Sequence, residues 1–162
     1  MKIIFLDIDG VLNCQKYFIA NHNRKIAYNK NYQDNVEFKK ESKMLDIDME
    51  KLELLKEIAM LSKSYVVIIS SWKILDVYPL IKEELIRLGI PIIGETKDNS
   101  YNRGYGIKKY LDEHHISDYI ILDDDIFPDY DDELRRHLVK TSFYQDGLDE
   151  EKKEEAIKKL KK

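Results

Sequence analysis

The chain has 162 residues, a formal net charge of −4, and 43% hydrophobic against 36% charged residues. That is enough for one domain with a sizeable core, and the balance excludes a disordered chain. The acidic excess argues against broad nonspecific attraction to nucleic acid, no apolar run approaches a membrane span, and the single cysteine, Cys14, excludes an internal disulfide and fits a reducing, cytoplasmic setting.

The first element is Ile3, Ile4, Phe5, Leu6, a short continuous apolar run that predicts a strand buried on both faces. Asp7, Asp9 and Gly10 follow at once, in the string Asp-Ile-Asp-Gly-Val-Leu-Asn. Acids at the end of a buried strand bring charge to the edge of the core, which points to a cation or a reaction; taken singly, each acid also suits an ordinary turn. From Gln15 to Asp46 neither helical nor alternating periodicity is sustained. This stretch carries Tyr17, Phe18, Lys25, Tyr28, Lys30 and Tyr32 and reads as a small lid or extended loop. Its aromatic and basic side chains suit stacking on a base and meeting phosphates, or a solvated surface loop.

Asp46 to Ser62 predicts a helix, capped by Asp46 or Asp48, with Leu52, Leu55, Ile58, Ala59 and Leu61 as its apolar stripe. Tyr65 to Ile69 predicts a second buried strand, ending in Ser70, Ser71, Trp72 and Lys73. The serines suit the cap of a following helix, and Trp72 suits packing. Pro79 to Leu88 predicts a helix stopped by Gly89, and Ile90 to Ile93 a short strand that Pro91 assigns to an edge or a strand start. Gly94 to Asp98 reads as loop, and Arg103-Gly104 leads into a helix through His114 with Ile107, Tyr110 and Leu111 facing inward.

Tyr119 to Leu122 predicts another buried strand, followed by Asp123, Asp124 and Asp125. Three adjacent acids repel one another unless a cation or solvent relieves them. Mg2+, a hard ion that takes oxygen ligands, is the natural candidate, with Asp123 and Asp124 as ligands and Asp125 starting a turn. Asp129, Asp131 and Asp132 read as a solvated loop, with Asp129 also a candidate for the outer shell. Leu138 and Val139 begin a last strand, and Gly147-Leu148 leads into a C-terminal helix of alternating charge whose core face is Ala156, Ile157 and Leu160.

Hydrophobic strands alternating with helices predict an α/β fold: a Rossmann-like parallel sheet flanked by helices, one domain over 1–162, with only a small cap or lid insertion at 15–46. Ligands of such sheets gather outside the carboxyl ends of the strands, and the candidate groups all fall at strand ends or at a helix entry.

The string from Asp7 to Asn13, a Ser after a hydrophobic strand, a basic residue upstream and an acidic pair at Asp123-Asp124 resemble, in that order, the four motifs of the haloacid dehalogenase-like (HAD) superfamily. Ser-Ser-Trp followed by Lys73, together with Gly147-Leu148, is similar to the phosphatase-like domain of "Swiss Army knife" RNA-repair proteins. The resemblance implies a HAD-like Mg2+-dependent phosphohydrolase. It implies Asp7 as a nucleophile that forms an aspartyl-phosphate and Asp9 as general acid and base. It places Ser70 or Ser71, and Arg103 ahead of Lys97 and Lys108, on the phosphoryl oxygens. It assigns Mg2+ to Asp7, to Asp123 or Asp124, and to the backbone carbonyl of Asp9, with Asn13 and Lys73 as candidate substrate contacts. The implied partner is a phosphorylated small molecule or nucleotide, or a nucleic-acid end. The alternative is a noncatalytic phosphate-binding or interaction module on the same fold.

Overall fold

A parallel sheet in the order β3-β2-β1-β4-β5 forms the centre of the computed structural model, which describes residues 1–97 and 101–161. Its strands are β1 (Lys2–Leu6), β2 (Ser64–Ile68), β3 (Ile92–Glu95), β4 (Asp118–Asp123) and β5 (Leu138–Lys140). The helices are α1 (Gln15–Asn29), α2 (Val36–Met44), α3 (Met49–Ser62), α4 (Tyr78–Arg87), α5 (Arg103–His114), α6 (Asp132–His137) and α7 (Glu150–Lys161), with a 3-10 turn at Ser71–Ile74. Among the described residues, no helix is long and apolar enough to cross a membrane.

The two-residue period of a strand sorts its side chains between two cores. Ile4 and Leu6 pack with Val66, Ile68, Ile120 and Leu122 against α3, α4 and α7. Ile3 and Phe5 pack with Val67, Tyr119 and Ile121 against Ile107 and Leu111 of α5 and Leu134 of α6. Ile3 through Leu6 are fully buried because β1 is central and covered on both faces, which is why its sequence is continuously apolar. The chain leaves β1 toward β2 on one side and reaches β4 on the other. The crevice between the ends of β1 and β4 is therefore the topological switch point of the sheet.

Several expectations change. The stretch 15–46 is not an extended loop; it holds α1 and α2. α1 buries no residue, so no core face was imprinted on its sequence. Its aromatic and basic groups are largely spent within the protein. Tyr28 stacks on Phe38 at 4.8 Å, the Tyr17 hydroxyl reaches the carbonyls of Leu45 and Ile47, and Lys25 pairs with Asp46 at 2.6 Å. Gly94 and Glu95 belong to β3, in register with Val67 and Ile68, and Pro91 precedes this edge strand; Asp98 lies outside the described residues. Leu61 is exposed, on the solvent side of α3. Asp132 is not loop but opens α6, and Asp131, the last loop residue before it, caps that helix by accepting from the Leu134 N–H at 3.0 Å.

Candidate active site

Register brings the first acids together. Leu6 stands opposite both Ile68 and Leu122, and the ladder continues one residue further, with Asp7 N donating to Leu122 O at 2.9 Å. Asp7 follows Phe5 and Asp123 follows Ile121 in strand parity, so both carboxyls fall on the α5 side of the sheet. There Arg103, the first residue of α5, lies between them. Its Nη1 is 2.9 Å from Asp123 Oδ2 and 3.4 Å from Asp7 Oδ2. All three side chains are buried, and the guanidinium also lies 4.1 Å from the centre of the Phe127 ring. Burial opposes the charge of Arg103, but Asp7 and then Asp123 outweigh it and hold its pKa up. Its buried Nε has no hydrogen-bond partner among the described residues.

Asp123 is satisfied on both oxygens. Oδ2 accepts from Arg103 and from the Tyr130 hydroxyl at 2.8 Å, and Oδ1 accepts from the Asp125 N–H at 3.1 Å. Burial and then Asp123 push the Tyr130 pKa up, which keeps its hydroxyl a donor. Asp7, Asp123 and Asp124 each offer an oxygen, all within 4.8 Å of one another. Burial, then Asp123, raises the Asp7 pKa well above the usual carboxylate range, with Asp124 adding and Arg103 opposing. Asp124 is pushed up to about 6, by burial and then by Asp123. Such a set, all oxygen and strained by like charge, fits a hard divalent cation such as Mg2+. Since Asp123 is engaged by three donors, Asp7 and Asp124 keep the more open oxygens.

Asp9 is exposed but held at both ends. Asn13 Nδ2 donates to its Oδ1 at 3.0 Å and Trp72 Nε1 to its Oδ2 at 3.0 Å. Asn13 is fully buried and its amide is spent locally: Oδ1 accepts from Gly10 N at 2.8 Å, and Nδ2 also reaches the Asp46 carbonyl at 3.0 Å. The segment after β5 braces the same loop. Thr141 Oγ1 donates to Gly10 O at 2.6 Å and Leu148 N to Val11 O at 2.9 Å. Gly147 adopts φ +55, and a Cβ there would meet the Asn13 carbonyl at 2.8 Å. The Gly-Leu pair before α7 therefore has a mechanical reason: it lets the chain pass close beneath the loop of Asp9.

The remaining candidates separate. Ser70 is buried at the end of β2, and its Oγ accepts from Trp72 N at 3.2 Å; Ser71 is exposed. Lys73 donates to Thr96 Oγ1 at 2.8 Å and to Thr96 O at 3.0 Å, tying the ends of β2 and β3. Lys97 is exposed and lines a groove with Lys82, Tyr110 and His114, and Lys108 is half-buried and paired with Asp131. Sequence reasoning missed two supports and offered a third, Asp129, only as an alternative to a solvated loop. Tyr130 and the indole N–H of Trp72 carried no spacing signal. Asp129 sat in an acidic run that suggested solvent, yet its carboxylate accepts from Gly104 N at 3.0 Å and Tyr105 N at 2.8 Å, capping the helix that begins with Arg103.

A family model described as the HAD domain in Swiss Army Knife RNA repair proteins matches residues 3–152. Neither a search of curated proteins nor one of solved structures found a match. The family match spans β1 to the start of α7 and takes in Asp7, Asp9, Ser70, Arg103 and the acids at the end of β4. On that coverage, and with a parallel sheet carrying an aspartate cluster at its switch point, the chain belongs to the haloacid dehalogenase (HAD) family of hydrolase domains.

Proposed function

We propose that the protein is a Mg2+-dependent phosphohydrolase that cleaves a phosphate monoester, on a nucleotide or a nucleic-acid end, through an aspartyl-phosphate on Asp7. The observation that carries this reading is the convergence of Asp7, Asp123 and Asp124 beside the buried Arg103 at the switch point of the sheet. In the first step a carboxylate oxygen of Asp7 bonds to phosphorus, the ester P–O bond breaks, and Asp9 gives its proton to the departing oxygen. In the second, Asp9 takes a proton from water, the water oxygen bonds to phosphorus, and inorganic phosphate leaves Asp7 as it was. Asp7, Asp124 and the backbone carbonyl of Asp9 would hold the cation, which supplies neutralisation of the phosphate charge.

Arg103 suits the phosphoryl oxygens because its guanidinium is held beside the attacking carboxylate, with Nη1 3.4 Å from Asp7 Oδ2 and 2.9 Å from Asp123 Oδ2. Ser70 suits them better than Ser71. Its oxygen accepts from Trp72 N, which leaves its own O–H to donate, and it sits at the end of β2 beside β1. Lys73, anchored to Thr96 at the rim, is the candidate for a contact beyond the phosphate.

Two points favour a nucleic-acid end among the substrates: the description of the matching family and the two inserted helices beside the site. The net charge of −4 favours recognition of an end over tight binding along a duplex. A cytoplasmic setting suits a chain whose one cysteine forms no internal disulfide. The test is phosphate release, with and without Mg2+, from small esters, nucleotides and 3′- or 5′-phosphorylated oligonucleotides. Release that needs both Mg2+ and Asp7 is expected; release that persists in Asp7→Asn would overturn the assignment.

A further inference from the structure

We infer that Trp72 is the positioning residue of Asp9, and that Lys43 at the end of α2 makes the inserted helices part of that hold; the role given to Asp9 rests on the phosphohydrolase reading above. A general acid acts only from within hydrogen-bond reach of the atom it protonates, so an exposed carboxylate has to be restrained. Asp9 is exposed, yet its two donors are not: Trp72 is 2% exposed and Asn13 is 0% exposed. The indole N–H on Oδ2 and the Asn13 amide on Oδ1, each at 3.0 Å, fix the rotation of the carboxylate from both sides.

Both donors are tied to one short segment. The ammonium of Lys43 lies 4.3 Å from the centre of the Trp72 ring. The same ammonium is 3.4 Å from Asp46 Oδ2, and the backbone carbonyl of Asp46 accepts from the Asn13 amide that holds Asp9. Lys25 of α1 reaches the other oxygen of Asp46 at 2.6 Å. The network therefore closes on itself: α1 and α2 through Asp46 to Asn13, Asn13 to Asp9, Asp9 to Trp72, and Trp72 back to Lys43. A cation on the ring face draws on the π electrons and strengthens the indole N–H as a donor. A substrate that displaces α2 loosens both donors at once, so the insertion governs the aim of the acid and not only access to it.

Trp72 is the single tryptophan of the chain, so its emission reports this contact in the intact protein without a label. Asp9→Asn replaces the carboxylate acceptor and Lys43→Met removes the cation, and each is expected to change the emission spectrum and lifetime of the folded protein. Unchanged emission in both would overturn the contact. These measurements leave Trp72 in place, so they stand even if Trp72→Phe fails to fold.

The second measurement is kcat/KM, which covers the steps up to cleavage of the ester, for a nucleoside monophosphate and for p-nitrophenyl phosphate. Trp72→Phe keeps a large ring and removes only the N–H. It is expected to lose about tenfold or more on the nucleotide, whose departing alkoxide needs a proton, and little on p-nitrophenyl phosphate, whose leaving group does not. Lys43→Met should shift the same ratio less, with Lys43→Arg restoring it. An equal loss on both esters, or no loss on either, from folded Trp72→Phe would overturn the positioning role. No Mg2+-dependent hydrolysis by the wild type, with emission still sensitive to Asp9→Asn, would instead reject the phosphohydrolase reading and leave the contact intact.

Discussion

A Cβ added to Gly10 would stand 2.1 Å from Oδ2 of Asp124. The loop that follows β1 and the acid that follows β4 thus share one space, and glycine is what admits the carboxylate. The backbone agrees, since Gly10 holds φ +79, a conformation other residues adopt at a cost of about 1–2 kcal/mol. Gly10→Ala should therefore push Asp124 out of the cluster. The expected outcome is a loss of roughly 100-fold in Mg2+-dependent turnover and a weaker Mg2+ dependence, read by activity against Mg2+ concentration.

Asp7→Asn keeps the size and burial of the side chain and removes the attacking carboxylate. Hydrolysis should fall by roughly 10^4-fold or more, with the circular dichroism of the folded chain retained. Turnover of a phosphate monoester at the wild-type rate would show that the nucleophile lies elsewhere.

Arg103 answers two buried acids at once. Arg103→Met leaves Asp7 and Asp123 facing each other without a cation and should cost about 3–5 kcal/mol, seen as a lower urea midpoint. Mg2+ should restore part of that loss in the variant, because it neutralises the same carboxyls.

The pH dependence of the metal-free fold has a definite sign. In the folded chain Asp124 titrates near 6 rather than at its ordinary 3.8, and Asp7 is raised as well. As pH rises through that window the unfolded chain releases these protons before the folded chain does. These two groups therefore make the metal-free protein less stable at pH 7 than at pH 4–5. Mg2+ favours the ionised carboxyls and should flatten or reverse the trend. Urea unfolding with EDTA and with Mg2+ across this range is the check; a metal-free midpoint unaffected by Asp124→Asn at pH 7 would contradict it.

Asp129 caps α5 from another part of the chain, and α5 begins with Arg103. Asp129→Ala should cost about 1–2 kcal/mol of stability and raise KM severalfold as Arg103 loses its aim. A variant with lowered stability and an unaltered KM would confine Asp129 to the cap.

The sequence by itself determined the strands and the acids that end them. Ile3 to Leu6 and Tyr119 to Leu122 are continuously apolar because both faces of a central parallel strand are covered, and that pattern survives any detail of packing. Only the tertiary structure decided what surrounds those acids. Arg103, Lys97 and Lys108 differ in their surroundings: the Arg103 guanidinium is enclosed between two carboxyls, while Lys97 is exposed and Lys108 pairs with Asp131 at the surface. α1 stayed hidden because a helix that buries nothing carries no periodic stripe. Trp72, Asn13, Tyr130 and Asp129 act through one or two hydrogen-bonding atoms set against residues distant in the chain or across a tight loop. Hydrophobic periodicity is blind to such atoms, since their partners are chosen by register, helix placement and crossover, which exist only once the chain is folded.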